Sequence, residues 1–83
     1  EVEIGVINEF FARPVVAGID LRGVIRVGDR IHIKGYTTDL ELTVESMQVN
    51  NVSVSDASPG QAVGVRVPGR VRRGDRVYRV TEY

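Results

Sequence analysis

The sequence predicts an all-β fold, a small closed antiparallel barrel of six to seven strands. Apolar and polar residues alternate with a period of two in several segments, and valine dominates the apolar residues. Turn residues separate these segments, and no window repeats apolar residues at helical spacing for two turns. A barrel is favoured over a sandwich because closure leaves no exposed strand edges. With 83 residues, the chain is expected to form one domain, 1–83.

The first two strands are predicted on either side of a proline. The segment Glu1–Phe11 alternates as a strand until Asn8 and Glu9 disturb the pattern. The Arg13–Pro14 step predicts a turn, because the residue before proline is held extended and proline donates no ladder hydrogen bond. A second strand, Val15–Arg22, follows with its inward residues in phase: Val15, Ala17, Ile19 and Leu21.

Two Gly-Asp corners each lead into a strand. Gly28–Asp29 precedes the third strand, Arg30–Lys34, whose isoleucines are expected to point inward and whose basic residues are expected to point outward. Gly74–Asp75 precedes the last strand, which ends at Val80. The repetition predicts a body closed by two matching elements.

The middle of the chain supplies the remaining strands. A fourth strand, Leu40–Val49, changes phase near Glu45–Ser46, and this change predicts a β-bulge. The strand ends at a turn signal, Asn50–Asn51, and a short fifth strand follows. The sixth strand, Ala62–Val67, contains Gly64, where the absent side chain leaves room for close approach of another group.

Composition excludes several classes of function. The chain has no cysteine, which excludes disulfides and thiolate chemistry. The absence of cysteine leads us to expect a cytoplasmic protein. The chain also has no apolar stretch long enough for a transmembrane helix and no visible signal peptide, so we expect no membrane partner. His32, the single histidine, is expected to be exposed and to lack the neighbours of a metal site. We therefore expect no cofactor and no enzymatic activity.

Arginines concentrate near the C-terminus. Residues 66–79 contain six arginines and one aspartate, whereas residues 1–65 contain five basic and nine acidic residues. We interpret the segment as an arginine-rich hairpin that contacts RNA phosphates, extended by the outward face of the third strand, with Tyr36 or Tyr78 stacking on a base. The alternative is a solvated hairpin whose arginines pair with carboxylates. The candidate RNA-binding residues are Arg66, Arg70, Arg72, Arg73, Arg76, Arg79, Arg30 and Lys34.

The order of these features resembles a known protein family. The segments EIGVI, VVAGIDLRGVIRVGDRIHI, ELTVESMQV, ASPGQAVGVRV and VRRGD follow one another as in the second domain of the translational GTPases, such as elongation factor Tu and bacterial-type initiation factor 2. The resemblance extends from Glu3 to Val80 and implies a translation-factor β-barrel. Its most recognisable residues are Ala57, Gly60, Val63, Gly64, Arg73 and Gly74.

The resemblance implies an association with translation, but without GTP hydrolysis. The sequence contains no GxxxxGK[ST] loop, so this chain alone is not expected to bind GTP. In the tRNA-delivering members of the family, the turn after the fourth strand carries bulky and basic residues that hold the aminoacyl end of tRNA. Asn50 and Asn51 occupy that turn here, as candidate polar contacts to a nucleotide.

Two functions remain open from the sequence. The first is a non-catalytic module that binds tRNA, ribosomal RNA, the ribosome or a translation factor. The alternative is a protein–protein interaction barrel or accessory subunit with no nucleic-acid role, which would expose an apolar patch formed by Phe10, Phe11, Ile25 and Leu40. A third possibility is a segment of a larger factor that has no independent role.

Overall fold

A computed structural model describes residues 2–80, which form ten β-strands. No helix in this range is long and apolar enough to cross a membrane. The strands are β1 (Val2–Ala12), β2 (Val15–Leu21), β3 (Ile25–Arg26), β4 (Arg30–Lys34), β5 (Asp39–Thr43), β6 (Met47–Val49), β7 (Val52–Val54), β8 (Asp56–Ala57), β9 (Ala62–Arg66) and β10 (Arg76–Arg79).

The strands form one open antiparallel sheet and one short ribbon. The eight-stranded sheet has the order β5-β4-β10-β1-β2-β9-β6-β7, and β3 pairs with β8. The predicted all-β antiparallel fold is confirmed, but the predicted closed barrel of six to seven strands is wrong. Within residues 2–80 no ladder joins β5 to β7, because β6 pairs with β9 and β7 then folds back on β6. Both edge strands are short, which limits pairing with other chains.

The sheet is curved around a single hydrophobic core. Side chains from most of the strands meet in one buried cluster, rich in isoleucine and valine. The inward residues predicted for β2, β4 and β9 are all buried or partly buried there, as is Val71 in the loop before β10. β-Branched side chains pack well on a pleated surface, so the same residues that favour strands also fill the core. The most deeply buried isoleucines are Ile4, Ile7, Ile19, Ile25, Ile31 and Ile33.

The change of phase in the predicted fourth strand marks a change of pairing partner. β5 pairs with β4, whereas β6 pairs with β9 and β7. Between the two strands, the amide of Val44 donates to the Asp29 carbonyl at 2.8 Å, and its carbonyl accepts from the Gly28 amide at 2.8 Å. The predicted β-bulge is therefore wrong, because the chain leaves one strand and begins another.

β1 instead contains the register shifts. One lies between Glu3 and Gly5 in the pairing with β10, and the other lies between Ile7 and Glu9 in the pairing with β2. The second shift coincides with the disturbed alternation at Asn8 and Glu9. It places Glu9 opposite Gly18 on the neighbouring strand.

The two Gly-Asp corners have the same geometry. In each corner the aspartate amide donates to the carbonyl three residues earlier, and the amide of that earlier residue donates to the aspartate carboxylate. The distances are 3.1 and 2.9 Å for Arg26–Asp29 and 3.0 and 2.8 Å for Arg72–Asp75. Gly28 and Gly74 have φ values of 98° and 93°, a conformation that glycine adopts without steric cost. The predicted matching elements are confirmed.

Glu3 on β1 bonds two arginines from different parts of the chain, Arg22 after β2 and Arg76 on β10. Its Oε1 atom lies 2.7 Å from Arg76 Nη1, and its Oε2 atom lies 3.2 Å from Arg22 Nη1. The hydrogen bond from Arg76 and the positive charges of both arginines hold the pKa of Glu3 below its ordinary value. The same hydrogen bond raises the pKa of Arg76.

Replacing Glu3 by glutamine should reduce the acid sensitivity of the fold. Because the folded-state pKa of Glu3 is lowered, its contribution to stability is present above the unfolded-state pKa of about 4.3 and is lost as the pH falls through the folded-state value. We expect the melting temperature of the native chain to fall more steeply below that pH than the melting temperature of Glu3→Gln. Calorimetric scans at several pH values would show this, and parallel curves for the two proteins would contradict it.

Candidate functional site

The arginine-rich segment is not a hairpin. Arg66 ends β9 and Arg76 begins β10, but β1 and β2 lie between these two strands in the sheet. The connecting loop, residues 67–75, turns Val67 and Val71 into the core. The predicted hairpin is wrong because each strand pairs with its own neighbour, and the arginines are spread over separate surfaces.

The outward face of β4 and β10 carries both signs of charge. Arg30 Nε lies 3.4 Å from Glu41 Oε1, and Arg76 is held by Glu3. The Lys34 ammonium lies 5.6 Å from the ring centroid of Tyr78 on the neighbouring strand. The outward orientation predicted for the basic residues of β4 is confirmed. On the face of β4 and β10, however, basic side chains lie next to acidic or aromatic ones and do not form a positive patch.

Two further arginines bond to backbone carbonyls. Arg73 Nε donates to the Asn8 carbonyl at 3.0 Å, and Arg79 Nη1 donates to the Val24 carbonyl at 3.0 Å. Both side chains connect distant parts of the chain. Their hydrogen bonds assign them a structural role.

Three of the candidate arginines, Arg66, Arg70 and Arg72, make no side-chain hydrogen bond or ion pair among residues 2–80. The Arg70 guanidinium lies 5.9 Å from the ring centroid of Phe10. Arg66 and Arg72 are exposed, and their side chains make no hydrogen bond or ion pair within that range. Of the eight predicted cationic contacts, these three are the most available to a ligand.

His32, Tyr36 and Tyr78 lie on or next to β4 and β10. His32 points outward from β4, but the predicted exposure is wrong: its side chain is only 16% exposed, and its Nε2 atom bonds to Asp39 Oδ1. Tyr36 is fully exposed in the loop after β4, and Tyr78 lies beneath Lys34. No group of three metal-ligating side chains occurs among the described residues.

A groove of about 440 Å³ crosses the outer face of the sheet over β1, β2, β9 and β6. Four side-chain amides and two glycines line it, together with an exposed aromatic ring. We name it the amide groove. Its lining residues are Asn8, Glu9, Phe11, Arg13, Pro14, Val16, Gly18, Gln48, Asn50, Asn51, Ala62, Val63 and Gly64.

Two adjacent glycines form the floor of the amide groove. Glu9, Gly18, Gly64 and Gln48 are successive Cα partners across four strands, so the two glycines occupy the centre of one outward row. Gly64 is partly exposed, so the sheet backbone is accessible from outside at this position, whereas Gly18 is buried. The close approach predicted at Gly64 is consistent with this floor.

Asn8 lies over one of these glycines. Its Nδ2 atom donates to Asp20 Oδ1 at 2.7 Å, and a Cβ atom on Gly18 would come within 2.4 Å of its Oδ1 atom. Gly18 is therefore required for this position of the amide. The Asp20 contact fixes the orientation of the amide at the wall of the groove.

Asn50 and Asn51 form the turn between β6 and β7. Their φ values are 51° and 64°, as a two-residue type I′ hairpin requires, and asparagine tolerates this conformation better than other residues with a side chain. The predicted turn is confirmed, and both residues line the amide groove. Within the described part of the chain, no side-chain hydrogen bond engages Gln48, Asn50 or Asn51.

The groove has one apolar rim. Phe11 is 49% exposed, and Pro14 and Val16 lie beside it in the lining. The four-residue apolar patch considered above does not form, because Ile25 is buried and Phe10 and Leu40 pack against the core. A single exposed ring therefore remains beside a polar wall.

Curated proteins longer than this chain match it over nearly its whole length. No protein-family model matches the chain. The uncharacterized protease MJ0090 of Methanocaldococcus jannaschii is 42% identical over 83 residues, which cover 99% of this chain and 20% of that protein. A collagenase of Porphyromonas gingivalis is 31% identical over 81 residues, which cover 95% of this chain and 20% of that enzyme. The chain thus spans about a fifth of the length of these curated relatives.

The solved structures establish the fold. The C-terminal domain of a Geobacillus thermoleovorans protein named as a U32 peptidase superposes with a TM-score of 0.88 at 16% identity, covering 94% of this chain and 91% of that one. A bacterial selenocysteine-specific elongation factor superposes with a TM-score of 0.72 at 20% identity, covering 92% of this chain and 14% of that one. The chain has the fold of a small all-β domain that resembles the C-terminal domain of a U32 peptidase and, more distantly, a domain of a translation factor.

Proposed function

We propose that this chain is a non-catalytic binding module that holds an unpaired nucleotide of an RNA in the amide groove. The observation that carries the proposal is the set of amides and the exposed Phe11 ring around the two glycines of the floor. The fold shared with an elongation factor supports the choice of RNA, with tRNA and ribosomal RNA as the first targets. Within the larger relatives, such a module would present RNA to the rest of the protein.

The amides suit the edge of a nucleobase. An amide side chain offers both donors and acceptors, and the edge of each base presents a mixture of the two. The side-chain amides of Gln48, Asn50 and Asn51 make no hydrogen bond with other described residues. Asn8 uses its Nδ2 atom to bond Asp20, so its Oδ1 atom can still accept a hydrogen bond. Phe11 supplies a surface on which a base can stack.

The position of the groove favours a nucleotide over an extended peptide. Peptides commonly bind sheets by adding a strand to an edge, where backbone groups are unpaired. The amide groove lies on the face of β1, β2, β9 and β6, whose backbone groups are already paired with neighbouring strands. A ligand there is recognised by side chains, and aromatic residues on sheet faces are a common platform for unstacked RNA bases.

Removing the Phe11 ring tests the proposal. Stacking of a base on an aromatic side chain contributes about 1–3 kcal/mol, so Phe11→Ala should weaken binding of a fluorescent single-stranded RNA at least about fivefold. Tyr36→Ala is the matched control, because Tyr36 is an exposed aromatic residue outside the groove. Anisotropy titrations would decide: equal loss in both variants, or no binding by the native chain at tens of micromolar, would contradict the proposal.

A second candidate follows from the names of the relatives. Two of them are named as a protease and a collagenase, which suggests a module that docks a polypeptide substrate. Collagen-like chains adopt a polyproline II conformation that binds aromatic-lined grooves, and Phe11 with Pro14 provides one such surface. The same titration with a labelled Gly-Pro-Pro repeat peptide would favour this candidate if the peptide bound and the RNA did not.

A further inference from the structure

The amide groove adjoins two further cavities. A second cavity of about 260 Å³ shares Gly64 and Gln48 with it, as well as the rim residues Pro14 and Val16. A third cavity of about 540 Å³ shares Ser46 and Arg66 with the second. The three cavities therefore adjoin one another in a row that runs from the face of the sheet to the gap between β5 and β6, and we name this row the channel.

Arg66 lies at the junction between the second and third cavities. It is two residues from Gly64 on the outward face of β9, a separation of about 7 Å along the strand, comparable to one extended nucleotide unit. Its guanidinium makes no ion pair or hydrogen bond with any residue in the range 2–80, unlike those of Arg30 and Arg76. Glu45 also lines the third cavity but does not form an ion pair with Arg66.

We propose that this channel binds a single-stranded RNA segment of at least three nucleotides, with a backbone phosphate held by Arg66. This inference rests on the proposed function and extends it from one nucleotide to a strand. The guanidinium group matches phosphate geometry, and an unpaired cation between adjoining cavities is suited to a polymer with regularly spaced negative charges. Ser46 adds a hydroxyl group at the same junction.

The length dependence of binding tests the channel. Competition titrations would use oligoribonucleotides of one to six nucleotides against a labelled hexamer, each at several salt concentrations. We expect affinity to rise with length up to about three or four nucleotides and then to level off, because further nucleotides leave the channel. Equal affinity for the mononucleotide and the hexamer would overturn the channel while leaving nucleotide binding in the amide groove intact.

Replacement of Arg66 by glutamine tests the phosphate contact. The variant should bind the hexamer about threefold to tenfold more weakly, with the slope of log K against log salt reduced by about 0.7, the increment for one phosphate on a single strand. Mononucleotide binding should be unchanged. Arg26→Gln is the matched control, because this exposed arginine on β3 lines none of the three cavities.

Three results would count against the inference. An unchanged slope in Arg66→Gln, or an equal loss in Arg26→Gln, would show that Arg66 holds no phosphate and would overturn the channel alone. Failure of every RNA length to bind the native chain would overturn the proposed function as well.

Discussion

Replacing Gly35 by alanine is expected to lower the free energy of unfolding by about 2–3 kcal/mol. A Cβ atom at this position would lie 1.8 Å from Asp75 Oδ1. Asp75 is buried and cannot retreat without losing the hydrogen bond from the Arg72 amide to its other oxygen, at 2.8 Å. The substitution therefore disrupts the second Gly-Asp corner, and urea denaturation would measure the loss.

Gly69→Ala provides the matched comparison for this prediction. A Cβ atom on Gly69 would meet Leu40 Cδ1 at 3.7 Å, an ordinary van der Waals distance. We expect the free energy of unfolding of Gly69→Ala to stay within about 0.5 kcal/mol of the native value. Similar losses in the two variants would show that the contact between Gly35 and Asp75 does not determine the result.

Filling the floor of the groove should weaken RNA binding without unfolding the chain. The side chain of Gly64→Leu would point outward from β9 into the space that the first two cavities share. We expect the affinity for single-stranded RNA to fall at least about tenfold, a change of 1.4 kcal/mol or more in binding free energy. The melting temperature should be maintained, because leucine suits a strand better than glycine and the nearest atom is Val16 Cγ1 at 3.3 Å, the end of a side chain that can rotate.

Ser53→Leu is the control for this substitution. Ser53 is the partner of Gln48 on β7 and is exposed, but it lies outside the lining of the groove. It receives the same leucine side chain on β7, which β6 separates from β9. Retained binding in Gly64→Leu would contradict the location of the site, and equal loss in both variants would indicate a nonspecific effect of the added leucine.

The alternation of apolar residues was sufficient to predict most strands and their inward faces. The isoleucines of β4 and the valines of β9 are buried where a period of two places them. The two Gly-Asp corners were also predictable, because positive φ at glycine and an aspartate that bonds the turn are local features. These features depend only on residues within a few positions of one another.

Whether the sheet closes into a barrel, and which strands pair with each other, could not be predicted in the same way. The phase change near Glu45–Ser46 was visible, but alternation does not distinguish a bulge from a strand that changes partner. The short ribbon of β3 and β8 was missed because two-residue strands have no period to detect. Long-range pairing also separates Arg66 from Arg76, which are close in sequence but lie on strands that do not pair.

The candidate site was recovered only in part. Asn50 and Asn51 were identified through their turn, and Arg66 through the clustering of arginines. Asn8 and Gln48 were missed because their place beside the glycine floor follows from the register of four strands. A glycine at the same outward position in two adjacent strands, Gly18 and Gly64, is the signal that could have indicated the groove, once the pairing was known.

Backbone amide chemical shifts during RNA titration test the central claim most directly. A ¹⁵N-labelled chain would be titrated with a single-stranded RNA hexamer, and each backbone and side-chain amide signal would be followed by NMR. We expect the largest changes at Gly18 and Gly64 and at the side-chain amides of Gln48, Asn50 and Asn51, with little change on the face of β4 and β10. Changes centred on Arg76 and Lys34, or no change at saturating RNA, would contradict the amide groove as the binding site.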